Sequence, residues 1–172
     1  KAFMSRENIF KLFQLPLKNK NFSRLLVFIS GWVFAVNIAA PFFTVFMLTT
    51  LGLSLSYVIA LGILSQVSSI FTIRIWGRFA DRYSNKTIIA LGGPLYILCI
   101  IAWCFVGLFG YYGNFILLIL IQIFSGISTA GINLSLTNIG LKLAPQQDAI
   151  VYLSVKNIIS AIFSSISPLI GG

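Results

Sequence analysis

Gly77-Arg78-Phe79-Ala80-Asp81-Arg82-Tyr83-Ser84-Asn85-Lys86 is a short charged segment set between two long apolar runs, and it holds one of only three acidic residues in the chain. With Arg74 just before it, the cations Arg78, Arg82 and Lys86 recur at every fourth residue. A helix continued through them would stack like charges on one face, at about 0.2–0.5 kcal/mol for each exposed pair. The segment therefore reads as a connector whose negative partners are Asp81 and the anionic headgroups of a cytoplasmic leaflet. That places it at a membrane surface and makes the runs on either side of it membrane spans.

The composition agrees. Hydrophobic residues make up 58% of the 172 and charged residues 9%, where an average soluble domain has about a quarter of its residues charged. Mean hydropathy is +0.98. Apolar runs long enough to cross roughly 30 Å of hydrocarbon recur along the chain. They are continuous and do not alternate with period two, which disfavours a transmembrane barrel. The fold class is all-α, a polytopic transmembrane helical bundle of about five spans. The net charge of +9 does not indicate nucleic acid, because the charges sit at the ends of apolar runs. There is no His, and Cys99 and Cys104 share one apolar run. Neither a metal site nor a disulfide framework is expected, nor any cofactor, and the thiols read as small hydrophobes.

Residues 1–23 form a basic leader, with Lys1, Arg6, Lys11, Lys18 and Lys20 against the single Glu7. Its mixture of cations with Phe3, Ile9, Phe10, Phe13, Leu15 and Leu17 suits a segment lying along headgroups or an ordinary solvated linker. Residues 24–172 are the transmembrane domain. The chain begins at Lys1 without a Met and stops in an apolar run at Gly172, so it is expected to be incomplete at both ends.

The first span is expected over 22–48, with Asn37 in its middle and Pro41 four residues on. Proline cannot donate to the Asn37 carbonyl, so a kink is expected there. Asn37 is then either a polar spot facing the bundle interior or a bond to a neighbouring helix. A second span is expected over 57–79, where Gly62, Ser65, Ser69 and Thr72 fall on one face that another backbone could approach closely. The third is expected over 87–109 and the fourth over 115–141. In the fourth, Gln122, Gly126, Thr129, Asn133 and Thr137 form a polar and small stripe. Such a stripe is ill suited to lipid and should face protein or a water-filled cavity.

The fifth span follows Pro145 and carries Asn157, Ser160, Ser164, Ser167 and Gly171 on one face. Lys156 lies about 9 Å in from Ile150. It is either a functional group or a side chain snorkelling to the headgroups. The leader, the segment around Asp81 and the loop at Lys142 hold nearly all the cations, which makes them cytoplasmic and the two uncharged loops external.

Gly77-Arg78-Phe79-Ala80-Asp81-Arg82, with Lys86 after a polar turn, resembles the Gly-x-x-x-Asp-Arg/Lys signature of the major facilitator superfamily. That signature lies between the second and third helices of a six-helix half, and so does this one. The likeness departs at Ser84, where the family often has Gly, and at Asn85, where it often has a base. Ser167-Pro168-Leu169-Ile170-Gly171-Gly172 resembles the end of the family's fifth-helix antiporter signature, with Ser167 and Phe163 replacing glycines. Gln122-Ile123-Phe124-Ser125-Gly126 resembles its Arg-x-x-x-Gly element, with Gln122 in place of Arg. That replacement, with no acid inside a span, points to the C-terminal half, the leader then being the end of the loop that joins the halves.

The resemblance implies a secondary transporter, not an enzyme, that carries a small solute by rocking of two six-helix halves. It implies cavity-lining roles for Asn37, Gln122, Thr129 and Asn133, with Lys156 and Asn157 as additions. It also implies a cytoplasmic latch of Gly77, Arg78, Asp81, Arg82 and Lys86. The expected partners are the solute, anionic lipid headgroups and the missing half, and the expected location is the plasma (inner) membrane with a cytoplasmic N-terminus. The alternative is a non-transporting scaffold or assembly factor on the same helices. Absent His, metal clusters and intramembrane acids leave little for acid–base catalysis. Substrate, direction and coupling ion leave no mark on these residues.

Overall fold

The computed structural model describes residues 13–171. Most of the leader (Lys1, Phe3, Arg6, Glu7, Ile9, Phe10 and Lys11) and Gly172 lie outside the described residues. Residues 13–18 are helical. Five long helices follow: α1 Lys20–Thr49, α2 Leu55–Arg82, α3 Asn85–Trp103, α4 Tyr111–Leu143 and α5 Ala149–Gly171, the last entered through a 3-10 turn at Gln146–Asp148. No strand occurs among the described residues. All five helices are long and apolar enough to span a membrane, so the chain is an all-α polytopic membrane protein. Large apolar side chains point outward along them, Phe71 at 75% exposure and Leu169 at 81% among them. In water that would be untenable; against lipid tails it is the ordinary condition of a spanning helix.

Two expected boundaries are corrected. The charged segment is not an extended connector, because α2 continues through Gly77, Arg78, Asp81 and Arg82, and only Tyr83 and Ser84 separate it from α3. Arg74, Arg78 and Arg82 are all exposed. Solvation keeps their mutual repulsion small, and cations in a last helical turn are favoured by the helix dipole by about 0.3–1 kcal/mol. The Arg82 guanidinium also lies 5.5 Å above the Tyr83 ring centroid, close enough for cation–π attraction. Ser84, with φ 179 and ψ 161, turns the chain out of the helix and caps α3, accepting from the Thr87 amide at 3.1 Å. The third span ends at Trp103, short of the expected Phe109. Its 19 residues give about 28 Å, still close to the hydrocarbon thickness. Beyond it the backbone bonds tighten to three-residue turns, from the Cys104, Phe105 and Val106 amides to the Ile101, Ala102 and Trp103 carbonyls, and Gly107 follows with a φ of +100, open mainly to glycine. Asn114 holds the turn, accepting from the Gly107 amide at 2.9 Å and donating to the Phe109 carbonyl at 2.7 Å.

By its contacts the chain divides into two compact units, residues 44–135 and residues 1–43 with 136–172. In the first, Met47, Val58, Leu61, Cys99, Val106, Leu118 and Ile121 form the core. There α2 and α4 meet at Gly126, where an added Cβ would lie 2.1 Å from the Ser65 carbonyl oxygen. The small-residue face expected on α2 therefore works at Ser65, while a Cβ at Gly62 would meet nothing within 4 Å. Nearer the charged turn, the Trp76 indole donates to the Ile127 carbonyl at 2.8 Å and its ring presses on Gly131. Ser128 donates to the Gly92 carbonyl and ties α3 to α4. In the second unit Phe22, Leu26, Tyr152 and Val155 form the core, with the Phe22 and Tyr152 rings edge to face at 4.6 Å. At its far end Gly171 sits where a Cβ would lie 2.7 Å from the Ile38 carbonyl oxygen, so α5 rests on the backbone of α1.

Candidate functional site

Residues 44–135 contain the polar stripe of α4. Gln122 and Thr129 are half-buried and Asn133 is exposed. None of these three side chains hydrogen-bonds to a described residue, whereas the Ser125 hydroxyl is bonded to the Gln122 carbonyl at 3.1 Å. Gly126, on the same face, is taken up in contact with α2. Two amides and a hydroxyl are thus left with free donors and acceptors along three turns of one helix. An amide presents two donors and an acceptor, and a hydroxyl one donor and two lone pairs. Such groups can hold an uncharged hydrogen-bonding solute or a file of water. Against hydrocarbon they would each be costly.

Residues 1–43 with 136–172 hold the other candidates. The Asn37 amide nitrogen donates to the Val33 carbonyl at 2.8 Å, and its oxygen accepts from the Ser164 hydroxyl at 3.4 Å. Asn37 therefore bonds its own preceding turn and links α1 to α5. The helix continues through Pro41. Lys156 is half-buried and its ammonium donates to the Thr137 hydroxyl at 2.8 Å, joining α5 to the last turns of α4. Asn157 is exposed. Thr137, expected to be one more rung of the α4 stripe, is the hydroxyl that receives Lys156. Sequence spacing placed it on that face but could not name its partner.

The signature residues stand at the end of α2 and the start of α3. Arg78, Asp81, Arg82 and Lys86 are exposed. Asp81 makes no ion pair with a described residue, and a Cβ at Gly77 would meet nothing within 4 Å. The close approach that a glycine permits here is thus not made by any described part of this chain.

Between α3 and α4 lies an apolar groove of about 330 Å³, lined by residues that include Leu95, Cys99, Ala102, Leu117, Ile121 and Phe124. It offers no polar handle for orienting a solute. Cys99 is buried there and Cys104 is exposed, both as free thiols. Among the described residues no three His, Cys, Asp or Glu side chains gather into a metal-binding group.

Trp76, Asn114 and Ser128 are positioning residues that the sequence did not single out. Trp76 and Ser128 form contacts between helices far apart in sequence, Trp76 across 51 residues and Ser128 across 36, and no local pattern signals such a pairing. Asn114 offered a weak cue, an amide among the aromatics of an uncharged turn.

No curated relative and no solved structure matches the chain. The family model described as Major Facilitator Superfamily matches residues 2–168. That match runs over nearly the whole length and agrees with five spanning helices and an acid in the last turn of the second, and the chain belongs to the Major Facilitator Superfamily.

Proposed function

We propose that this chain is one half of a secondary transporter that moves a small solute by rocking-type alternating access. Members of the superfamily are membrane transporters, and the finer reading rests on one observation above all. Gln122, Thr129 and Asn133 hold their polar groups on one face of a membrane-spanning helix without a hydrogen-bonding partner among the described residues. A helix built only for packing would satisfy or omit such groups, since each is costly in lipid. A transport cavity needs them. In this reading the partner is a second six-helix half, and Asp81 alternates between bonding a facing helix end in one state and losing that bond in the other. The exposed Arg78, Arg82 and Lys86 hold the α2–α3 turn at anionic headgroups on the cytoplasmic side of a plasma (inner) membrane.

The test is cysteine accessibility of the full protein in membranes, after replacement of Cys99 and Cys104. Single thiols at Gln122, Thr129 and Asn133 should be labelled by water-soluble reagents, with a balance between the two sides that shifts when solute is added. Uniform protection of all three positions would point instead to a packed scaffold.

A further inference from the structure

Lys156 is held in a position that snorkelling does not explain. It lies seven residues inside α5 and Thr137 lies six residues inside the end of α4, about 10 Å and about 9 Å along the two helix axes. The ammonium reaches sideways to a hydroxyl at its own depth, 2.8 Å away, and not back toward the helix end as a snorkelling lysine would. Threonine is neutral, so the bond takes one of three N–H donors and leaves the charge uncompensated. The chain has three acids. Asp81 belongs to the last turn of α2, Glu7 lies outside the described residues, and Asp148 is eight residues before Lys156, about 12 Å along the axis. No described carboxylate pairs with this ammonium. Ser160, one turn further along the same face and half-buried, has no hydrogen-bonding partner among the described residues either.

A half-buried charge in a spanning helix without a counter-charge is strongly unfavourable, and intramembrane lysines otherwise pair or line a water-filled path. We infer that the Lys156 ammonium, with Thr137 and Ser160 beside it, receives the negative group of a small monoanionic solute, a carboxylate. Lys142 on α4 and Arg24 on α1, the neighbouring cations, are both exposed, so Lys156 is the one half-buried cation among the described residues and one negative charge balances it. This inference rests on the transporter reading and gives it a substrate class.

The sign of the site can be measured on the full protein in membranes without knowing the solute. In a Cys99→Ala, Cys104→Ala background, Ser160→Cys places a thiol one turn from Lys156. Its labelling rate is compared for an anionic methanethiosulfonate (sulfonatoethyl) and a cationic one (trimethylammonioethyl). The anionic reagent should be favoured, and the ratio should fall about tenfold when Lys156→Gln removes the charge and hold with Lys156→Arg. Acetate, butyrate and benzoate are then tested against their amides as protectants. At least one carboxylate should slow labelling more than its amide does, and only while position 156 is cationic.

A ratio unchanged by Lys156→Gln, or amides that protect as well as carboxylates, would overturn the anion assignment while leaving a water-accessible cavity in place. Thiols that neither reagent reaches from either side, at position 160 and at positions 122, 129 and 133, would overturn both.

Discussion

Gly126 of α4 and Ser65 of α2 are in backbone contact: a Cβ at Gly126 would lie 2.1 Å from the Ser65 carbonyl oxygen and 2.9 Å from its carbon. No rotamer relieves this, because the obstructing atoms are main chain. Gly126→Ala must therefore push the helices apart, at about 1–3 kcal/mol. The expected result is a lower melting temperature of the purified protein and a smaller folded yield. Gly62→Ala is the control, since a Cβ there meets nothing within 4 Å and alanine gains up to about 1 kcal/mol of helix propensity over glycine. Equal losses for the two variants would show that the α2–α4 contact is not as close as described.

Trp76 and Gly131 provide a coupled pair. A Cβ at Gly131 would lie 2.8 Å from the indole ring, which also donates to the Ile127 carbonyl at 2.8 Å. Hydrogen bonds between membrane helices contribute about 0.6 kcal/mol on average and up to about 1.7. Trp76→Leu should destabilise by more than that, since it also removes ring packing. Gly131→Ala should be harmful with Trp76 present and milder in the Trp76→Leu background. A coupling of about 0.5–3 kcal/mol is expected from the double-mutant cycle, read by denaturant unfolding in micelles. Strict additivity would mean that Ile88, 3.0 Å from the same Cβ position, sets the limit instead.

Span number and class were legible because the apolar runs are long and the cations cluster between them. The boundaries failed where a local rule competed with another. The Arg74, Arg78 and Arg82 ladder read as too repulsive for a helix, yet exposure weakens that repulsion and the end of the α2 dipole favours it. The third run looked apolar to Phe109, but the helix gives way after Trp103 to three-residue turns that lead to Gly107 at positive φ, held by Asn114. At the candidate site, helical spacing put these residues on one face of α4 without dividing it. Gly126 goes to packing, Thr137 goes to Lys156, and Gln122, Thr129 and Asn133 are left free of described partners. Which neighbour meets each rung depends on helices far away in sequence, and one sequence does not encode that locally.

Ser84 explains a departure from the family pattern. Its φ of 179 is extended backbone that any residue adopts, so the turn has no need of the usual glycine. Its hydroxyl accepts from the Thr87 amide at 3.1 Å and lies 2.9 Å from the Thr87 hydroxyl. Loss of a serine cap costs about 1 kcal/mol when alanine replaces it and a few tenths when glycine does. Ser84→Ala should thus lower the melting temperature more than Ser84→Gly does. The reverse order would mean that backbone freedom, not capping, governs this turn.

Asp81 is the acid of the signature and stands exposed in the last turn of α2 without an ion pair to any described residue. Its place there is unfavourable by itself, since a carboxylate near a helix C-terminus meets the negative end of the dipole. Removing the charge should accordingly leave the fold intact or slightly more stable. If the carboxylate serves as a latch toward a facing helix end, Asp81→Asn removes its attraction in one state only and shifts the balance between states. The expected outcome is uptake into vesicles slowed severalfold, with unchanged membrane insertion and an unchanged or higher melting temperature. Asp81→Glu should retain part of the rate, because it keeps the charge at a slightly longer reach. Normal uptake by Asp81→Asn would remove the latch from the mechanism, and a collapse of folded protein would assign Asp81 to folding instead of transport.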